Sequence, residues 1–151
     1  MKISSTFIMS LICMQLYACG NIDEVAQTNN FSNTDTTKMK ITIGSAVFTA
    51  TLENNATTKA FKKMVPLTLN MSELNGNEKF FHFSSALPTN AAPGSGIQAG
   101  DLMLYQNNSL VLFYETFNTS YRYTRLGRID NTSGLAAALG AGSVMVKFEL
   151  Q

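Results

Sequence analysis

The residues best suited to chemistry lie in two short segments, and the first contains His82. It is the single histidine among the 151 residues and lies in the sequence FFHFS, residues 80–84. Its imidazole could hydrogen-bond to a substrate carbonyl or exchange a proton near neutral pH. One histidine without a second histidine, a thiolate or a carboxylate pair is, however, a weak signal for a metal site or an activated nucleophile. Alternation along a strand places His82 opposite to Phe81 and Phe83, so a structural role is the alternative interpretation.

The second segment is SYRYTRLGR, residues 120–128, which contains every arginine of the chain and two tyrosines. Arginines beside tyrosines could bind a carboxylate or a phosphate, or stack on a planar ligand. The alternative is a solvent-facing strand edge whose arginines pair with Glu115 or Asp130. With the preceding strand and the Gln98 loop, the two segments supply the ligand-binding candidates: His82, Gln98, Phe113, Tyr114, Tyr121, Arg122 and Arg125.

Other polar positions give weaker signals. Asp101, Glu73 and Glu78 have no spacing that sets up a paired acid and base, so we interpret them as turn and surface residues. The glycine-rich sequence PGSGIQAG lacks the lysine and the helix start of a phosphate-binding loop, and we interpret it as a flexible rim. No metal or cofactor site is predicted, and no catalytic residue can be named.

Charge and cysteine content narrow the classes of partner. Net charge is +1 and 14% of the residues are charged, so the lysine and arginine excess typical of a nucleic-acid-binding protein is absent. The two cysteines, Cys13 and Cys19, both lie near the start of the chain. We therefore expect no disulfide and no thiolate metal site in the remainder.

The first residues are typical of a targeting segment. Lys2 precedes an apolar run that is short for a membrane span. The run ends in LYAC, which resembles the bacterial lipobox, with a small residue before Cys19. We therefore predict a lipoprotein signal peptide at residues 1–18 and acyl chains, such as palmitate, on Cys19. The alternatives are an ordinary signal peptide cut after Ala18 and a buried N-terminal helix.

Lipidation predicts a location and a domain boundary. Two or three acyl chains hold a protein firmly on a membrane, so we expect the bacterial cell envelope. The absence of aspartate at the second position after the cysteine favours the outer membrane, if the host has one. Residues 19–37 are rich in Asn and Thr and predict a flexible tether, and residues 38–151 form the predicted domain.

The elements that position the candidates are mostly strands. Alternation predicts a hairpin around Gly44 and Ser45, and an amphipathic helix follows with Asn54 or Asn55 as its N-cap. Further strands are predicted around the Asn75-Gly76 and Asn107-Asn108 turns, then a short helix at GLAAALG and a last strand at SVMVKFEL. About eight short strands and two brief helices predict a mainly β, closed antiparallel barrel.

The order of these elements resembles the cyclophilin fold, an eight-stranded barrel with two helices. The sequences ELNGNEKFF, AGDLMLY, LVLFY and YTRLGRI are similar to those of a cyclophilin-like domain family of bacterial proteins. The resemblance covers residues 39–150. True cyclophilins isomerise prolyl bonds with an arginine in a Phe-His-Arg motif, which stabilises the twisted amide. Here Phe83 stands at the position of that arginine, after Phe81 and His82.

The resemblance leaves three functions open. The first is a membrane-anchored barrel that binds a peptide or a small ligand without efficient proline isomerisation. The second is a weak or divergent isomerase, in which Arg122 or Arg125 supplies the missing charge beside His82. The third is a structural envelope lipoprotein, which should have no defined pocket.

Overall fold

A computed structural model describes residues 37–151 of the chain. The predicted signal peptide, Cys19 and most of the predicted tether lie outside the described residues. No helix within residues 37–151 combines the length and the apolar character needed to cross a bilayer. In chain order the elements are β1 (Lys38–Ile43), β2 (Ala46–Leu52), α1 (Ala56–Lys62), β3 (Leu67–Leu74), β4 (Glu78–His82), β5 (Ala92–Pro93), β6 (Asp101–Tyr105), β7 (Ser109–Phe113), β8 (Arg122–Ile129), α2 (Leu135–Leu139) and β9 (Val144–Leu150).

Eight of these strands close into an antiparallel barrel. The order around it is β2-β1-β9-β3-β4-β7-β6-β8, and β8 returns to pair with β2. The ninth strand, β5, lies outside the ring and pairs with the start of β8 through Ala92 and Tyr123. The predicted fold class is therefore confirmed. The segment around Pro93 was predicted to be an irregular loop. The structure shows that it also contains this two-residue outer strand.

Local sequence determines where the elements begin and end. Gly44 adopts a φ of 58° in the two-residue turn between β1 and β2, a conformation that glycine reaches without steric cost. The Asn55 side chain caps α1 by accepting a hydrogen bond from the Thr58 backbone N–H at 2.9 Å, as short polar side chains commonly do. The hairpin, the N-cap and both Asn-containing turns lie where the sequence predicts them.

Alternation along the strands separates two apolar layers. The larger layer fills the barrel interior and includes Phe81 and Phe83 of the β4 region with Phe61 of α1. The smaller layer lies on the opposite face of β4, β7, β6 and β8, which we call the outer face. Its buried members are Ile97, Met103, Val111, Phe113 and Tyr123, with Phe80, Tyr105 and Phe117 packed against them. A sheet face in direct contact with water is usually polar. The apolar side chains of the smaller layer therefore indicate that loops cover part of the outer face.

Candidate functional site

One row of side chains crosses the outer face and includes His82. In the register of the sheet, His82 is opposite Ser109, Ser109 is opposite Tyr105, and Tyr105 is opposite Tyr123. The imidazole Nδ1 lies 2.6 Å from the Ser109 hydroxyl, and its ring lies 5.0 Å from that of Phe80. His82 is exposed at one end of the row.

At the other end of the row, Tyr123 lies at the centre of an aromatic cluster. Its ring centroid is 5.4 Å from those of both Tyr105 and Phe113. Gly94 allows the loop after β5 to lie directly on this ring, since a Cβ at Gly94 would be 2.7 Å from Tyr123 Cδ2. Burial raises the pKa of Tyr123 to about 12, with a smaller contribution from Glu78. The phenol is therefore neutral at physiological pH.

A cavity of about 280 Å³ opens on one side of Tyr123. We call it the tyrosine pocket. Its aromatic side chains come from β6, β8 and the loop between β7 and β8, and its polar side chains come mainly from the turn between β3 and β4. The lining residues are Leu74, Asn75, Asn77, Glu78, Tyr105, Phe117, Thr119, Tyr121 and Tyr123.

Glu78 is the one ionisable carboxyl among the residues that line the tyrosine pocket. It is 8% exposed, and its strand partner across the outer face is Phe113. Desolvation raises the pKa of Glu78 to about 7, and the nearby charge of Glu73 adds to the shift. Within residues 37–151 its carboxyl makes no hydrogen bond and no ion pair.

A second cavity, of about 380 Å³, is also lined by Tyr123. We call it the arginine pocket, because Arg125 lies in its wall. Backbone of the loop that carries β5 forms one side, and β6, β8 and the start of α1 form the other. The lining residues are Glu53, Asn55, Asn90, Ala92, Pro93, Gly94, Met103, Tyr123, Thr124 and Arg125. Tyr123 is thus a wall shared by both pockets.

Arg125 is held in the arginine pocket by a buried carboxylate. Its Nη1 donates to Asp101 Oδ1 at 2.8 Å, and the Asp101 side chain is fully buried. Asp101 Oδ2 also accepts the backbone N–H of Gln98 at 2.9 Å. Glu53 lies 3.7 Å from Arg125 Nε. The guanidinium is therefore part of a structural hydrogen-bond network. Part of its surface remains exposed to the cavity.

Lys79 forms a separate polar network inside the barrel. It is fully buried, and its ammonium donates to Glu73 Oε2 at 2.5 Å and to the carbonyl oxygens of Gly140 and Gly142 at 2.8 and 2.6 Å. The Tyr114 hydroxyl donates to Glu73 Oε1 at 2.8 Å. Desolvation acts to raise the pKa of Glu73, but the hydrogen bonds from Lys79 and Tyr114 outweigh it and lower that pKa. This network ties β3 and β4 to the loop after α2.

The sequence-derived candidates do not converge on one site. Tyr121 lines the tyrosine pocket and Arg125 lines the arginine pocket. Phe113 is fully buried in the outer aromatic layer, whereas Tyr114 faces the interior network. Gln98 donates to the Gly96 carbonyl at 3.3 Å, and Arg122 donates to the Ala91 carbonyl at 2.6 Å beside β5. His82 is not among the residues that line either pocket.

Neither arginine candidate lies beside His82. Strands β7 and β6 separate β4 from β8, so three strand spacings, about 14 Å, divide His82 from Arg125. Phe83 is 6% exposed and packs in the interior against Phe61 and Phe81. A side chain at position 83 therefore points away from the outer face, whatever its type.

Three polar expectations from the sequence were wrong. Asp101 and Glu78 are buried rather than surface residues. Glu73 does act at a turn, since its Oε1 accepts the Gly76 backbone N–H at 2.9 Å, and it also joins the Lys79 network. Arg125 pairs with Asp101 and Glu53 rather than with Glu115 or Asp130. Asp130 pairs with Lys38 instead. Strand pairing explains the contact of Arg125 with Asp101, because it brings together residues 24 positions apart in the chain.

Most pocket residues were not among the sequence-derived candidates, and they include Tyr123 as well as Glu78, Tyr105 and Phe117. A signal for Glu78 was present, because alternation places it on the same face as Phe80 and His82. Tyr105 alternates in the same way with Met103. Phe117 had no local signal, since its position depends on an isolated bridge between it and Ile97. Within the described residues, no group of three histidine, cysteine or carboxylate side chains could hold a metal ion.

Comparison with known proteins agrees with this architecture. The model of the cyclophilin-like family matches residues 41–149. The chain belongs to the cyclophilin-like family. Among solved structures, this cyclophilin-like chain is similar to the solution structure of a hypothetical protein from Archaeoglobus fulgidus, with a TM-score of 0.57 and 19% identity over 77% of this chain and 95% of that one. At that identity the likeness shows the fold alone. None of the curated proteins compared with the chain matches it.

Proposed function

We propose that this cyclophilin-like barrel is a ligand-binding module that takes a peptide or a small molecule on its outer face, without efficient proline isomerisation. The observation that carries the proposal is the place of Tyr123 as a wall common to two cavities, of about 280 and 380 Å³. Ligand sites are typically concave, largely apolar and roughly 300–1,000 Å³ in volume. A ligand lying across Tyr123 would enter both cavities.

The chemistry of the lining suits a short peptide. Aromatic rings supply apolar contact area, while the amides of Asn75 and Asn90 offer hydrogen bonds in both directions. Tyr121 is 61% exposed and lies with its ring 5.8 Å from that of Tyr105. An exposed aromatic side chain at the mouth of a cavity is a typical anchor for a bound partner.

The two alternative functions lack comparable support. An isomerase would need a cation at the reacting amide, yet Arg122 and Arg125 hydrogen-bond elsewhere and Phe83 packs in the interior. A purely structural lipoprotein should have no defined pocket, which the cavities on the outer face weigh against. Ligand binding is therefore the function we favour.

The test is a titration of the ¹⁵N,¹³C-labelled full chain with blocked tripeptides of varied central residue, followed by NMR. We expect saturable shifts at Tyr121 and Tyr123 for at least one peptide. Tyr121→Ala should weaken that binding about three- to ten-fold, since an aromatic contact contributes about 0.5–1.5 kcal/mol. Val47→Ala is the matched control, because Val47 is 60% exposed and lies outside both cavities. No saturable shift with any peptide, or equal losses in both variants, would overturn the proposal.

A second assay addresses isomerisation. The full chain, added to a proline-containing tetrapeptide, should leave the rate of cis-trans exchange at its uncatalysed value. Acceleration well above that background would contradict a binding-only function.

We further propose that Cys19 is lipidated and holds the domain at a bacterial cell envelope, in the outer membrane where the host has one. The sequence LYAC supports this proposal, and the predicted tether at residues 19–37 would separate Cys19 from β1, which begins at Lys38. Metabolic labelling with a radioactive fatty acid should mark the wild-type protein in the membrane fraction and should fail for Cys19→Ser. Equal labelling of both proteins would refute lipidation at this cysteine.

A further inference from the structure

The tyrosine pocket contains acceptors of hydrogen bonds without matching donors. The Glu78 carboxyl, 8% exposed, has no hydrogen bond and no cationic partner within residues 37–151. The side-chain Oδ1 of Asn77 is buried and likewise has no partner there. Leaving a buried polar group unpaired costs about 1–3 kcal/mol, and more for a charged group. That cost falls on Asn77 Oδ1, which has almost no accessible surface. The Glu78 carboxyl keeps some access to the pocket, so a ligand that supplies a donor can reach it.

The charges around Glu78 favour the same kind of ligand. Tyr105 of β6, Tyr121 of the loop before β8 and Tyr123 of β8 line the pocket with it, and the carboxylate of Glu73 on β3 adds a nearby negative charge. The nearest lysine in the sequence, Lys79, points to the other side of the sheet and is engaged by Glu73. Of the residues that line the pocket, none is cationic. A positive charge in this space would therefore meet an uncompensated carboxylate.

The aromatic side chains that line the tyrosine pocket would also attract a cation. A cation within about 6 Å of an aromatic face gains about 0.5–2 kcal/mol, most where water is excluded. Four aromatic side chains surround this cavity: Tyr105, Phe117, Tyr121 and Tyr123. Its volume of about 280 Å³ matches the end of a long side chain better than a whole folded segment.

We infer that the tyrosine pocket selects an organic cation with N–H donors, an ammonium or a guanidinium group, whose hydrogen bond Glu78 accepts while the tyrosine rings enclose it. This inference rests on the proposed ligand-binding function and names the chemical class bound at one of its two cavities. The cation can come from a lysine or arginine side chain of a peptide, or from a free amine. The tyrosine pocket would recognise a peptide side chain and a free amine by the same contacts. Only the peptide would also occupy the arginine pocket.

The experiment compares three blocked tripeptides, with lysine, arginine or norleucine at the centre, and butylamine alone. Titration of the labelled full chain at pH 8 gives each affinity and the residues that shift. We expect the lysine and arginine peptides to bind at least ten-fold more tightly than the norleucine peptide. Butylamine could instead bind with the same affinity as the lysine peptide and shift only residues of the tyrosine pocket. That result would support the cation site and would identify a free amine as the ligand.

Two variants separate the carboxylate from the rest of the pocket. Glu78→Gln keeps the shape and removes the charge, so it should abolish the ten-fold preference. Glu115→Gln, at an exposed carboxylate outside both pockets, should retain it. The affinity for the lysine peptide should also rise as the pH increases through about 7, because cation binding favours ionised Glu78.

The outcomes distinguish this inference from the function on which it rests. Equal binding of the lysine and norleucine peptides, or an unchanged preference in Glu78→Gln, would overturn the cation inference and leave ligand binding standing. Failure of every peptide and of butylamine to shift any pocket residue would overturn both.

Discussion

Replacement of Glu78 by glutamine should stabilise the protein at alkaline pH. The side chain is 8% exposed, lies beside Phe113 and has no partner for its charge within residues 37–151. Glutamine has nearly the same shape and carries no charge. The substitution therefore removes the cost of ionising a buried group while it preserves the packing of the outer face.

The magnitude follows from the pKa of Glu78. Burial raises it from 4.5 to about 7, and each unit corresponds to about 1.36 kcal/mol. The upper bound on the gain is therefore roughly 3 kcal/mol. Because the folded-state pKa is the higher one, the contribution of this carboxyl to stability is complete below pH 4.5 and is lost as the pH rises through about 7.

Urea unfolding of the full chain at pH 4 and at pH 8.5 measures both limits. We expect wild type and Glu78→Gln to differ by less than about 0.5 kcal/mol at pH 4, where the carboxyl is protonated in both states or nearly so. At pH 8.5 the variant should be more stable by about 1–3 kcal/mol. Glu53→Gln serves as the exposed control and should change little at either pH. A Glu78→Gln variant that is no more stable than wild type at pH 8.5 would refute the reasoning.

Three further substitutions test other parts of the structure. Lys79→Met should lower the free energy of unfolding by about 3–5 kcal/mol, since it removes the cation beside Glu73 and leaves Glu73 Oε2 and two carbonyl groups without their donor; a variant as stable as wild type in urea would contradict that network. Phe83→Arg should destabilise the barrel by more than about 3 kcal/mol, because it buries an unpaired charge. It should also create no proline isomerisation, and a gain of that activity in the tetrapeptide assay would count against an interior position. Gly94→Ala should shift the Tyr123 ring resonances and weaken peptide binding, because the added Cβ would lie 2.7 Å from that ring; an unchanged Tyr123 spectrum would argue against the contact.

The fold could be predicted from sequence because its signals are local. Period-two alternation marks the strands, Gly44 and Asn75-Gly76 mark tight turns, and Asn55 marks the start of α1. The same alternation places Phe81 and Phe83 on one face of β4 without any knowledge of the barrel. These features depend on neighbours within a few residues, so a sequence pattern can indicate them without knowledge of the barrel.

The candidate site could be predicted only in part, because it depends on pairing across the sheet. Asp101 and Arg125 meet although they lie 24 positions apart, and nothing near either residue indicates the other. Lys79 looks like an ordinary surface lysine in sequence, yet it is buried against carbonyl groups more than 60 positions away. For Glu78, alternation predicts the face of β4 on which the side chain lies, but the sequence does not predict that the side chain is buried. Burial there depends on the loop that carries Phe117, which no local pattern placed.

Intermolecular nuclear Overhauser effects between a bound lysine tripeptide and the full chain test the central claim most directly. We expect contacts from the lysine side-chain protons to the rings of Tyr105, Tyr121 and Tyr123, because these rings line the cavity that contains Glu78. We also expect contacts from the peptide backbone to Gly94 and Met103 of the adjoining cavity. A peptide that binds with no contact to any of the three tyrosine rings would contradict the proposal that the outer face is the binding site.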